Sequence, residues 1–180
     1  MNNNNTATDT APNPSSEAPS CMEMPMENPT PEHRWLERFV GTWDIEIEVS
    51  PGPGQPTQVM HGTEIAQMVG PFWLVTEGSN EVFPYRCRLT LGYDATRGRY
   101  VGSWIDTMTS HFWRYDGQVD ATGRILSLDT EGPFPGESGL VKFREVTEFI
   151  TDDHRRFTSN RQNAQGGWDA LCRMTFRRRA

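Results

Sequence analysis

Lysine is almost absent from this chain: of 17 basic residues only Lys142 is lysine, and the rest are arginine. A Walker-type phosphate loop needs a glycine-rich turn running into Lys, and no such turn precedes Lys142. A lysine Schiff base would have only Lys142 to use, inside the patterned run Val141-Lys142-Phe143. The sequence has no G-x-G-x-x-G after a strand and no G-x-S-x-G elbow, which argues against a dinucleotide-binding fold and an α/β-hydrolase. Its four histidines (His33, His61, His111, His154) show neither His-x-His nor His-Glu-x-x-His spacing, so no metal site is expected. No apolar run approaches the roughly 20 residues of a membrane helix, and no membrane association is expected. Positive charge is in deficit, with a net charge of −7, which weighs against nucleic acid as a partner. The three cysteines (Cys21, Cys87, Cys172) form no Cys-x-x-Cys pair. With neither a basic nor an apolar stretch at the N-terminus to act as a secretory leader, they read as reduced thiols, and a cytoplasmic location is the expectation.

Large apolar residues are missing from one end. Residues 1–29 contain no Leu, Ile, Val, Phe, Tyr or Trp, and their four acids account for more than half of the net charge. Such a segment cannot bury enough surface to offset its ordering entropy and is expected to be a disordered tail. Residues 30–180 are expected to form a single domain. It opens with Thr30-Pro31-Glu32, a helix start, followed by Trp35, Leu36 and Phe39 on one face and a stop at Gly41.

After Gly41 the period changes from 3.6 to 2. Trp43-Asp-Ile45-Glu-Ile47-Glu-Val49 alternates strictly between apolar and acidic. Further runs of this kind occupy 57–68, 72–82, 84–93, 99–108, 110–116, 124–131, 139–150, 154–161 and 167–177. Turn signals such as Asp94-Ala-Thr-Arg-Gly98 and Gly132-Pro-Phe-Pro-Gly136 join them. About ten strands with short connections predict antiparallel hairpins, and closure would remove the long edges of so large a sheet. The expectation is all-β: an up-and-down barrel of about ten strands with one short helix at a mouth. A two-sheet sandwich is the alternative.

Chemistry-bearing residues concentrate in Trp104-Ile-Asp106-Thr-Met-Thr-Ser-His111-Phe-Trp113-Arg-Tyr115. A hairpin turning at Met108-Thr109 sets Asp106 against His111, Trp104 against Trp113 and Gly102 against Tyr115, on one face. The Asp106–His111 pair could hold a polar ligand group, orient an imidazole for acid–base catalysis, or help hold haem. It could also be a plain polar pair at the barrel rim. Glu77 shares a face with Trp73 and Val75 and could point inward among aromatics. Asp129 and Glu131 share a strand face and could pair as acid and base. The expected inner wall is Trp43, Ile45, Ile47, Trp73, Leu89, Trp104, His111, Trp113 and Phe143. Trp73, Glu77, Trp104, Asp106, His111, Trp113 and Tyr115 are the expected ligand contacts. Three functions stay open: a binder of a small, partly apolar ligand, an enzyme using Asp106 and His111 in the same cavity, or a barrel filled by its own side chains. No cofactor is expected, with a haem on His111 as a minor variant. A homodimer is left open.

Gly41-Thr42-Trp43 resembles the G-x-W signature of lipocalins. That resemblance implies a Trp packed at the closed end of the barrel beneath an Arg from the last strand, for which Arg173, with Arg177, Arg178 and Arg179, is available. Over residues 22–179 the chain is similar to the bacterial family known as domain of unknown function 1579. The match is carried by Met24-Pro25, Pro29-Thr30-Pro31-Glu32-His33, Trp35-Leu36, Val40-Gly41-Thr42-Trp43 and Leu91-Gly92-Tyr93-Asp94. Val101-Gly-Ser-Trp104-Ile-Asp106, His111 and Leu128-Asp129-Thr-Glu131-Gly-Pro133 extend it. The resemblance implies a lipocalin-like fold and no established activity.

Overall fold

Ten antiparallel strands close into a barrel in which β1 pairs with both β2 and β10. The computed structural model describes residues 27–49, 58–81 and 84–180. A short helix, α1 (Pro31–Trp35), runs into a 3-10 turn over Leu36–Phe39. The strands follow as β1 (Gly41–Val49), β2 (Gln58–Val69), β3 (Trp73–Asn80), β4 (Arg86–Asp94) and β5 (Arg99–Asp106). Then come β6 (Trp113–Val119), β7 (Ile125–Pro133), β8 (Leu140–Thr151), β9 (His154–Gln162) and β10 (Trp168–Arg178). The ring is unbroken, so the sandwich alternative falls away, and every sequence-predicted strand has its counterpart. Residues 1–26, and with them nearly all of the expected tail, lie outside the described residues.

Five residues make too short a helix to be stable alone, so α1 depends on what it touches. The Thr30 amide donates to His33 Nδ1 at 3.0 Å, and Pro31 occupies the first turn. The Trp35 indole donates to the Gly123 carbonyl at 2.8 Å, and the Tyr100 hydroxyl donates to the Glu32 carbonyl at 3.1 Å. Leu36 and Phe39 point into the barrel and are buried. The helix is therefore a plug, tied to the strands and to the loop before β7.

Gly41 turns the chain from plug to strand with φ +132, a conformation that suits glycine, and a Cβ there would lie 2.7 Å from Arg178 Nη1. Strict alternation along β1 then sends Trp43, Ile45 and Ile47 inward and Asp44, Glu46 and Glu48 outward. The closely packed core lies towards the plugged end: Leu36, Phe39, Trp43, Leu74, Leu91, Leu126 and Phe149 are almost wholly buried. The opposite end carries the connections 107–112, 134–139 and 163–167.

Candidate functional site

Trp43 sits at the bottom of the barrel with no exposed surface, and its indole N–H donates to the Phe39 carbonyl at 2.7 Å. Two guanidinium groups lie over its ring, Arg178 at 4.2 Å and Arg155 at 4.7 Å. Arg178 is the last-strand arginine that the G-x-W resemblance implies. It also donates to the carbonyls of Val40, Arg38 (2.9 Å) and Asp152 (2.8 Å), closing the plugged end. Arg173 does not take this role. β10 alternates so that Cys172, Met174, Phe176 and Arg178 share the inner side, which leaves Arg173 exposed on the outer one, in register with Glu48. Arg155, from β9, is 3% exposed, packs on Phe176 at 3.7 Å and pairs with Glu64. A buried guanidinium needs such a counter-ion to offset its desolvation.

Above this floor the barrel encloses a cavity of about 350 Å³. Its wall includes Ile45, Ile47, Leu89, Trp104, Trp113 and Phe143, six of the nine residues expected there, together with Tyr115. Trp104 and Trp113 are directly paired across β5 and β6, and Gly102 faces Tyr115, as the hairpin reading predicts. The Trp104 and Trp113 rings meet edge to face at 6.3 Å, and Phe143 meets Trp113 the same way at 5.3 Å.

Asp106 and His111 do not form the expected hydrogen bond. The β5–β6 ladder ends at Trp104–Trp113, because the Asp106 carboxylate accepts the amides of Met108 and Thr109, both at 2.9 Å, and turns the chain out of register. The Thr109 hydroxyl accepts the His111 amide, and His111 Nε2–H donates to the Glu131 carbonyl at 3.0 Å. His111 lies edge-on to Trp113 at 4.9 Å, on the side of an outer groove with Phe112 and Trp168, and is not part of the cavity wall. Neither the acid–base pair nor a haem ligand inside the barrel is built here.

Trp73 and Glu77 also face outward. On β3 it is Leu74, Thr76 and Gly78 that turn in. Trp73 is 43% exposed and lies over Gly92, its partner on β4, where a Cβ would come within 2.5 Å of the ring. Glu77 forms an exposed ion pair with Arg88. Asp129 is outward too, gripped by Arg144 at 2.7 and 3.2 Å, so it does not combine with Glu131 as an acid–base pair.

The most unusual group in the cavity is Glu145. Phe143, Glu145, Thr147 and Phe149 form the inner side of β8, and Glu145 is 9% exposed. Its Oε1 accepts from the Ser159 hydroxyl at 3.0 Å, while its buried Oε2 has no partner. Burial pushes this carboxyl up to about 8, with the Ser159 hydroxyl opposing in part, so it is largely protonated at neutral pH. Tyr115 and Cys172, which also face the cavity, are raised by burial as well and stay uncharged. The bracketing pair Phe143 and Phe149, six residues apart and so on one face of a strand, is the signal in the sequence that points to Glu145.

Residues 28–178 match the family described as protein of unknown function (DUF1579). The chain belongs to the DUF1579 family. No curated protein matches its sequence. Among solved structures, the DUF1579 barrel is similar to Rv2717c from M. tuberculosis, at 13% identity and a TM-score of 0.56, over 85% of this chain and 100% of that one. It is also similar to the S-type phycobiliprotein lyase CPES from Guillardia theta, at 16% identity and a TM-score of 0.50, over 82% of this chain and 92% of that one. At these identities the likeness is one of fold alone. Among the described residues no three His, Cys, Asp or Glu side chains converge as a metal site, and no helix is long and apolar enough to cross a membrane.

Proposed function

We propose that this DUF1579 protein binds a small, partly apolar molecule inside its barrel. The observation that carries the reading is the cavity above Trp43. Its volume of about 350 Å³ suits a small ligand, and its wall combines aromatic and aliphatic side chains with a few polar groups. A barrel filled by its own residues would extend the packing of the plugged end to the other mouth. Here open space is lined from Phe39 and Phe176 near the plug up to Trp104 and Trp113. An enzyme built on Asp106 and His111 lacks the hydrogen bond that would orient the imidazole, and neither residue lines the cavity.

Native mass spectrometry of the full chain purified from its own host tests this. A discrete added mass that is lost on denaturation is expected. Recovery of the bare chain alone, under conditions that preserve a known barrel–ligand complex, would count against the reading.

A further inference from the structure

We propose that the cavity ligand is an organic amine, a protonated nitrogen on an apolar body, with Glu145 as its counter-ion. This rests on the cavity being a ligand site. Two acids and one arginine lie in the cavity wall: Glu64, Glu145 and Arg155. Glu64 is satisfied by Arg155. Glu145 has only the Ser159 hydroxyl, and its second oxygen is buried without a partner. The next inward arginine of β9, Arg161, pairs with Glu137 at 3.6 Å and stacks on Phe134 at 4.4 Å, while its buried Nε has no partner.

The groups facing Glu145 from the other strands offer it no cation. They are Tyr115 on β6, Leu128 on β7, Ser159 on β9 and Cys172 on β10, with Cys87 and Tyr85 also in the wall. Burial keeps both thiols and both phenols neutral. With Arg155 paired to Glu64 and Arg161 to Glu137, a ligand ammonium is the cation left to meet Glu145. The rings of Trp104, Trp113, Tyr115 and Phe143 share that cavity, and aromatic faces attract organic cations while giving an anion nothing. A carboxylate ligand would place a second acid beside Glu145.

Proton balance follows. In the free protein Glu145 carries its proton. When an ammonium group binds, it forms the charge-assisted hydrogen bond to the carboxylate, and the Glu145 proton leaves to solvent. Amine affinity should therefore rise with pH towards about 8, where Glu145 ionises without help, and level off above it.

Isothermal titration of the full chain with decylamine, decanol and decanoate, which share one apolar chain, separates the alternatives. The amine is expected to bind roughly tenfold or more tighter than the alcohol, as a hydrogen bond to a charged group allows. Titration in two buffers of different ionisation enthalpy should show close to one proton released per amine near neutral pH, a count made on the unaltered protein. Glu145→Gln should weaken the amine by roughly tenfold and leave decanol within about twofold. Tightest binding of decanoate, or equal binding of amine and alcohol with no proton release, would overturn the amine assignment and leave the cavity reading standing. Binding of none of the three would overturn both.

Discussion

At the scale of single residues, the barrel spends its polar groups unevenly. Trp43 is held by one hydrogen bond and two guanidinium groups, and its own side chain is wholly buried. Trp43→Ala should therefore cost about 3–5 kcal/mol in chemical denaturation, the range for large aromatic truncations in a core. Trp73→Ala, on the outer face, should cost far less, and the contrast between the two checks which face each ring occupies. Glu145 makes the opposite contribution. Its folded-state value of about 8 lies above the ordinary 4.5, so the folded protein binds the proton more tightly than the unfolded chain. The stability this confers is complete at acidic pH and is lost as pH rises from about 4.5 through about 8. Glu145→Gln removes the titration. Melting curves should show little change near pH 5 and a higher melting temperature for the variant near pH 8. A variant that is less stable at the higher pH would mean that the carboxylate has a partner in the folded protein.

Elements show how far a sequence can be read. The ten strands were legible because period-2 runs end at residues with clear turn chemistry, such as Asp94, whose carboxylate accepts the amides of Thr96 and Arg97 at 3.0 and 3.1 Å. Which face turns inward was harder. On β3 both faces are apolar, Trp73 and Val75 against Leu74, and the choice is made by Gly92, nineteen positions away, whose bare backbone receives the Trp73 ring on the outside. On the β5–β6 hairpin, parity correctly joined Trp104 to Trp113, but parity does not say where a ladder stops. Asp106 ends this one by bonding its own turn. On β8, Phe143 and Phe149 already forced Glu145 inward, so the central polar group was within reach of the pattern. Gly132 on β7 gives a test of element packing. A side chain there would run into the six-membered ring of Trp113. Gly132→Ala should destabilise by about 1–3 kcal/mol, as overpacking does, and shift the tryptophan emission of the cavity mouth. An unchanged spectrum would mean that Trp113 is not seated on β7.

Taken whole, the barrel is plugged at one end, and its cavity runs from Phe39 at the plug up to Trp104 and Trp113. The plug, Trp43 and the paired arginines close the bottom, and the connections 107–112, 134–139 and 163–167 lie at the top. Under the proposed function, stability rests mainly on the plugged end and the ligand sits in the cavity above it. Residues 1–29 contain no Leu, Ile, Val, Phe, Tyr or Trp, and deleting them should leave the melting temperature within about two degrees in calorimetry. A ligand in the cavity should instead raise it in proportion to the logarithm of its concentration. Whether the cavity is a binding site is measured most directly by a crystal structure of the protein purified from its own host. Continuous density is expected for a small molecule between the Trp104–Trp113 pair and Glu145, with a polar atom within hydrogen-bond distance of Glu145 Oε2. A cavity closed by rearranged side chains, with Trp104 and Trp113 folded onto Glu145 and no room for a ligand, would contradict it.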